Sequence, residues 1–150
     1  MPISLQLGVN GSVQSFSPQH VSNAVEIATW LEGNEHVAAV TYAGLPSSPY
    51  HDRMARICPN GAGALFTIAL EGGYDACVKF VDALQLFTHV ANLGDTRSLV
   101  IHPASTTHRQ LTPEQLDAAG APANVVRLSI GIEDPKDLVA DLEQALAAAH

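Results

Sequence analysis

The sequence has little positive charge, few aromatic side chains and no long apolar run. Its 150 residues contain seven Lys and Arg against fifteen Asp and Glu, giving a net charge of −8, and 5% are aromatic. Because no Lys/Arg cluster occurs, we expect neither nucleic acid nor a membrane surface as a partner. No apolar run approaches the ~20 residues that span a bilayer, and the first residues lack a secretory signal pattern. These absences predict a cytoplasmic protein.

Cysteine is also scarce, with Cys58 and Cys77 alone. Two thiols fit a reduced compartment better than a disulfide framework. Cys77 falls on the apolar stripe of a helical pattern, which predicts a core position. With 47% hydrophobic residues, the chain is long enough to bury the core of one domain.

Proline follows a capping residue four times, which predicts four helix starts. A side-chain oxygen can accept a hydrogen bond from an early amide, while proline lacks the N–H that would stay unpaired. Gln115 adds the spacing of a capping box, and Glu133 and Asp134 are interpreted as helix-start charges. The four pairs are Ser17-Pro18, Ser48-Pro49, Thr112-Pro113 and Asp134-Pro135. A further amphipathic helix is predicted from about Tyr74 to Gln85.

The first 16 residues differ from the rest. Gly8, Gly11 and several Ser and Asn are typical of a loop, and Pro18 disfavours a helix that continues upstream. We therefore predict a divergent N-terminal tail over residues 1–16, followed by one domain over residues 17–150.

Strand-like runs alternate with the helices and have one apolar face each. In the last of them, Val126, Leu128 and Ile130 share one face and leave Arg127 on the other. One-sided patterning predicts an α/β (α+β) fold, a two-layer sandwich whose mainly antiparallel sheet carries helices on one face. The runs are His36–Tyr42, Ala64–Leu70, about Phe87–Ala91, Ser98–His102 and Val125–Gly131.

Three segments are candidates for chemistry, each with a simpler alternative. Arg127 offers a rigid fork of donors that matches a carboxylate, although most arginines are surface or salt-bridged residues. The segment Asn92–Asp95 is equally typical of an Asn/Gly turn. His102 and His108 lack metal-ligand spacing and a third ligand, so a structural or pocket-wall role is favoured over a metal.

Taken together, RLSIGIED around Arg127, HPASTTH from His102, the Asn92-Leu-Gly-Asp segment and GLPSSPYH from Gly44 resemble one family. The chain is similar to the C-terminal domain of the Cys/Met-metabolism enzymes that use pyridoxal phosphate (PLP), and most to their O-acetylhomoserine sulfhydrylase branch. The resemblance implies the small C-terminal domain of a fold-type I PLP enzyme. It covers roughly residues 20 to 149.

The resemblance also implies roles for three residues. Arg127 would hold the α-carboxylate of an O-acetylhomoserine-type substrate, and Asn92 would assist it where related lyases and synthases carry serine. Thr107 would line the pocket. The complete enzyme would use PLP, act in methionine biosynthesis and form a homo-oligomer.

The cofactor lysine of the family is the missing element. Such enzymes need a lysine for the internal aldimine, and the sequence offers only Lys79 and Lys136, neither in a suitable context. We therefore expect the chain alone to bind no PLP and to be inactive. Catalysis would also require the lysine-bearing PLP domain as a partner. The alternative hypothesis is a free-standing, non-catalytic interaction or small-molecule-binding module derived from the family.

Overall fold

A computed structural model describes residues 3–92 and 94–150, with side chains described from residue 18 onward. Helices and strands alternate along most of the chain. In order they are α1 (Ile3–Glu32), β1 (Val37–Thr41), α2 (His51–Ile57), β2 (Leu65–Leu70), α3 (Gly73–Ala83), β3 (Thr88–His89), β4 (Leu99–Ile101), a 3-10 turn (Pro103–Ser105), α4 (Pro113–Ala118), β5 (Val125–Ser129) and α5 (Pro135–Ala149).

The five strands form one sheet in the order β1-β2-β5-β4-β3. Every neighbouring pair is antiparallel except β3 and β4, which run parallel. Strand β5 lies at the centre, where Arg127 is in register with Thr67 of β2 and Ile101 of β4. The predicted mainly antiparallel α/β fold is confirmed.

The apolar face of this sheet, the first face, carries the core. Helices α3 and α5 pack against each other, and α1 packs on α5 and β1. Burial raises the pKa of the Cys77 thiol to about 12, as expected for a core cysteine without a catalytic role. The strand residues in this core are Phe66, Ile68, Leu70, Val100, Val126 and Leu128.

The opposite face of the sheet, the second face, is covered in part. Five buried apolar residues lie outside the main core, and three of them come from the segment between β4 and β5. They are Leu99, Ile101, Ala104, Leu116 and Ala121. Residues 102–124 therefore shield the β4 side of the second face, while Leu65 on β2 stays 41% exposed.

Two of the predicted helix starts are confirmed. Thr112 and Gln115 form a complete capping box at α4, and the Asp134 side chain accepts from the Lys136 amide at α5. The start predicted at Ser48-Pro49 is displaced, because α2 begins at His51. Ser48 instead closes a turn, in which its carbonyl accepts from the His51 amide.

The loop and the helix start predicted for the N-terminal segment were wrong, whereas a divergent tail over residues 1–16 stays a prediction. Helix α1 is continuous from Ile3 to Glu32 and contains Pro18 in its interior, where a loop and a new helix start were expected. An interior proline removes one donor and costs about 3 kcal/mol, and a glycine costs about 1 kcal/mol, yet α1 continues through Gly8, Gly11 and Pro18. The domain boundary at residue 17 stays a prediction. Within the described chain, no helix combines the length and the apolar character needed to cross a membrane.

Candidate functional site

Arg127 is the central residue of the second face. It occupies the middle of β5, and its neighbours Val126 and Leu128 point into the core with no exposed surface. Alternation along the strand therefore directs the half-buried Arg127 side chain to the second face, beside Thr67 and Ile101. No described side chain forms an ion pair or hydrogen bond with it. Its guanidinium donors are thus available to a ligand from outside these residues.

Asn92 lies in the loop that joins β3 to β4. Its side chain is exposed, and its backbone amide donates to the Val90 carbonyl at 3.2 Å. Gly94 follows with a φ of +74°, a left-handed conformation that favours glycine and turns the chain. Leu93, in the middle of the predicted motif, lies outside the described residues.

The same loop contains an ion pair between Asp95 and Arg97. The Arg97 guanidinium lies 3.0 Å from the Asp95 carboxylate, which also accepts from the Arg97 amide. Hydrogen bonds from Arg97 hold the pKa of Asp95 at about 2. Asp95 is thus paired with Arg97, and the described residues contain no ion pair between Asp95 and Arg127.

Thr107 lines an open groove of about 480 Å³ beside the 3-10 turn. Its hydroxyl lies 2.8 Å from Nδ1 of His108. The groove is bounded by the end of β3 on one side and by the segment after β4 on the other. Its lining residues are His89, Val90, Ala91, Ile101, Ser105, Thr106, Thr107 and Arg109.

The groove relates the three predicted site residues to each other. Ile101 lines it and is the register partner of Arg127, and paired residues on antiparallel strands have Cα atoms about 5 Å apart. Ala91, another lining residue, directly precedes Asn92. The fold thus places Thr107 in the groove wall, with Arg127 and Asn92 adjoining it.

A polar cluster beneath the loop, in which Ser98 and Asn23 are buried and Glu133 is half-buried, was missed by sequence analysis. Glu133 was expected to act as a helix-start charge, but its carboxylate accepts from the Ser98 amide at 2.6 Å and from the Ser98 hydroxyl at 2.9 Å. On α1, Asn23 donates to the carbonyls of Gly131 and Glu133 at 3.1 and 2.8 Å. These partners lie 35 to 110 residues apart, and only the presence of Glu133 in RLSIGIED signalled a special role.

His102 has the structural role that was favoured for it. The ring is fully buried, its Nε2 lies 2.9 Å from the Ala123 carbonyl and its Nδ1 lies 3.0 Å from the Ser105 hydroxyl. It therefore ties the end of β4 to the turn before β5. Burial lowers the pKa of His102, and the nearby His89 lowers it further, while the bond to Ala123 opposes the shift.

The lowered pKa of His102 predicts an acid-sensitive fold. An unfolded histidine binds its proton near pH 6.5, whereas the folded one binds it only at lower pH. Stability from neutral His102 is thus complete above about pH 6.5 and declines as pH falls, by at most about 1.4 kcal/mol per pH unit for one proton. Urea unfolding between pH 8 and 5 should show a weaker pH slope for His102→Gln than for wild type. An unchanged slope in His102→Gln, or an equal loss of slope in His108→Gln, would contradict this.

Neither lysine is suited to hold PLP near Arg127. Lys79 lies on α3 and Lys136 in the first turn of α5, and neither side chain is buried. Helices α3 and α5 cover the first face of the sheet, whereas Arg127 projects from the second. A cofactor aldehyde bound to either lysine would therefore be separated from Arg127 by the sheet.

The mixed α/β architecture with its five-stranded sheet is that of the fold-type I PLP enzymes. The sequence comparison makes this specific. The model of the family "Cys/Met metabolism PLP-dependent enzyme" matches residues 17–147. The chain belongs to this family.

The curated relatives that it resembles include several sulfhydrylases. O-acetyl-L-homoserine sulfhydrylase 1 of Thermus thermophilus is 49% identical over 129 residues, which cover 86% of this chain and 31% of the relative. O-succinylhomoserine sulfhydrylase of Pseudomonas aeruginosa is 41% identical, covering 86% of this chain and 32% of the relative. The chain thus spans about a third of the length of these relatives.

Solved structures show the same likeness in three dimensions. An O-acetylhomoserine (thiol)-lyase of Campylobacter jejuni, whose structure contains N'-pyridoxyl-lysine-5'-monophosphate, superposes with a TM-score of 0.83 at 39% identity, over 91% of this chain and 32% of that one. Cystathionine gamma synthase of Xanthomonas oryzae in complex with cystathionine gives a TM-score of 0.83 at 41% identity, over 92% of this chain and 35% of that one.

Proposed function

We propose that this chain is the C-terminal, substrate-carboxylate-binding domain of an O-acetylhomoserine sulfhydrylase-like enzyme. The observation that carries the proposal is Arg127, a half-buried arginine on the second face without an ion-pair partner among the described side chains. Partial burial strengthens its attraction for an anion, and its planar fork matches a carboxylate. Asn92 adds an amide donor and Thr107 a hydroxyl at the adjoining groove.

In this proposal the complete enzyme replaces the acetoxy group of O-acetylhomoserine with sulfide, giving homocysteine and acetate for methionine biosynthesis. Support comes from the 49% identity to the Thermus thermophilus relative, which bears that activity in its name. The residues of this chain hold the substrate by its α-carboxylate and thereby orient it. PLP and its lysine would belong to a domain outside these 150 residues.

A partner and a compartment are part of the proposal. Leu65 exposes 41% of its surface on the second face, which would suit coverage by a lysine-bearing domain or by a second copy in a homo-oligomer. Both cysteines are free. Free thiols suit the reducing cytoplasm, which we propose as the location.

An NMR titration of the ¹⁵N-labelled chain with O-acetyl-L-homoserine tests the proposal. We expect shifts in the Arg127 Nε–H, the Asn92 side-chain amide and the Thr107 backbone amide, since these groups would surround the carboxylate. The control ligand is O-acetyl-L-homoserine with its α-carboxylate converted to an amide. Adding it should leave the chemical shifts of these groups unchanged.

A second assay addresses catalysis directly. The chain with added PLP, O-acetylhomoserine and sulfide should produce no homocysteine above the background without protein. Absence of any response at Arg127 in the titration would contradict the binding role. Turnover that needs the chain would overturn its assignment as non-catalytic.

A further inference from the structure

The loop that carries Asn92 is fastened to the end of the strand that carries Arg127. Ser98, at the close of this loop, is fully buried, and its amide and hydroxyl both donate to the Glu133 carboxylate. The Ser98 hydroxyl in turn accepts from the Gly131 amide at 2.9 Å. One buried serine therefore joins the start of β4 to the segment leaving β5.

Backbone contacts make this connection close. The Ile132 amide donates to the Thr96 carbonyl at 2.9 Å, so the loop lies directly on the segment after β5. A Cβ atom at Gly131 would collide with the backbone of Thr96 and Arg97. The loop backbone thus packs directly against Gly131 with no side chain between them. This contact fixes the position of the loop relative to the end of β5.

Helix α1 also forms hydrogen bonds with this loop and with the segment after β5. Asn23, fully buried, donates to the carbonyls of Gly131 and Glu133. His20, also buried, donates from Nε2 to the Asp95 carbonyl at 3.1 Å. The Glu133 backbone is therefore fixed while its carboxylate holds Ser98.

We propose that Glu133 is a positioning residue that acts through Ser98 on the loop of Asn92 and so sets Asn92 relative to Arg127. The inference rests on the proposed carboxylate-binding function. Glu133 does not line the groove, and its carboxylate is already engaged by Ser98, so it acts without touching the substrate. Hydrogen bonds to a charged acceptor are among the stronger ones, which suits a contact that must hold a loop in place.

The test is a double-mutant cycle between Glu133→Ala and Asn92→Ala, with O-acetyl-L-homoserine affinity measured by NMR titration. Glu133→Ala should weaken binding roughly tenfold in the wild-type background and have almost no effect once Asn92 is alanine. Glu133→Gln should restore most of the affinity, because its carbonyl oxygen can still accept from the Ser98 amide. Hydrogen exchange at the Ser98 amide should accelerate in Glu133→Ala and recover in Glu133→Gln.

The outcomes separate the two proposals. If Glu133→Ala lowers the affinity equally in both backgrounds, the positioning role of Glu133 is overturned. The proposed carboxylate-binding role of Arg127 would still stand. No binding by the wild-type chain would overturn the proposed function and the positioning role with it. Glu143→Ala, an exposed glutamate on α5, is the matched control and should change neither affinity nor Ser98 exchange.

Discussion

Replacing Asp141 by alanine should lower the free energy of unfolding by about 3–5 kcal/mol, a large part of the ~5–15 kcal/mol that stabilises a typical domain. Asp141 is a buried residue of α5. Its carboxylate accepts from three consecutive amides, those of Gln85, Leu86 and Phe87, at 2.9, 2.8 and 3.2 Å. Without it, the three amides of a partly buried turn lose their acceptor.

The size of this effect follows from what the three amides do. The three amides belong to the segment that connects α3, in the helix layer, to β3, at the edge of the sheet. Hydrogen bonds to a charged group contribute about 1.5–3 kcal/mol each, and the bonds from Gln85 and Leu86 are partly buried whereas the one from Phe87 is buried. Gln144 donates both to Asp141 and to the Ala83 carbonyl, so it would lose one of its two partners as well.

Urea unfolding followed by circular dichroism measures this loss. Asp141→Asn should fall between wild type and alanine, because its one carbonyl oxygen still accepts while its NH₂ group faces an amide. Glu143→Ala, two residues further along α5 and exposed, should stay within about 0.5 kcal/mol of wild type. A loss below about 1 kcal/mol for Asp141→Ala would show that water or a shifted backbone satisfies the three amides.

Replacing Arg127 by alanine should weaken binding of O-acetyl-L-homoserine about 10- to 100-fold, since hydrogen bonds to a charged group contribute about 1.5–3 kcal/mol. Arg127→Lys should recover only part of the affinity, because lysine keeps the charge but lacks the planar fork. The measurement is the dissociation constant from the NMR titration. Stability should change little, because Arg127 makes no described ion pair that the substitution would break.

Arg53→Ala supplies the matched control. It removes an exposed arginine from α2, distant in sequence from the groove, and should leave the dissociation constant unchanged. If Arg53→Ala weakens binding as much as Arg127→Ala, the attraction reflects net charge alone. If Arg127→Ala binds like wild type, the arginine does not hold the carboxylate.

The elements near the site were largely predictable from local pattern. Alternation in β5 is enough to place Arg127 opposite Val126 and Leu128, since successive side chains of a strand must point to opposite faces. The capping residues Thr112 and Asp134, each followed by proline, likewise located the starts of α4 and α5. Strand alternation and helix capping depend on neighbouring residues. The folded structure therefore keeps them unless tertiary packing favours another conformation.

Other features depended on partners far along the chain. Asp141 looks like one more exposed carboxylate on an amphipathic helix, and its three amides lie 54 to 56 residues away. Glu133 was interpreted from its neighbours as a helix-start charge, whereas its partner Ser98 is 35 residues distant. The extension of α1 through Pro18 was missed because the prediction considered only the low helix propensities of Gly8, Gly11 and Pro18. The helix continues through these residues despite their unfavourable propensities.

Periodicity and the RLSIGIED motif were sufficient to predict the mainly antiparallel sheet, its apolar face and the candidacy of Arg127, because both are properties of neighbouring residues. Only the folded chain reveals that Thr107, Ala91 and Ile101 share one groove beside Arg127 and Asn92, since strand order brings these segments together. The same strand order buries Ser98 against Glu133. An unpaired carboxylate would be costly there, whereas a hydrogen-bonded one can hold the loop.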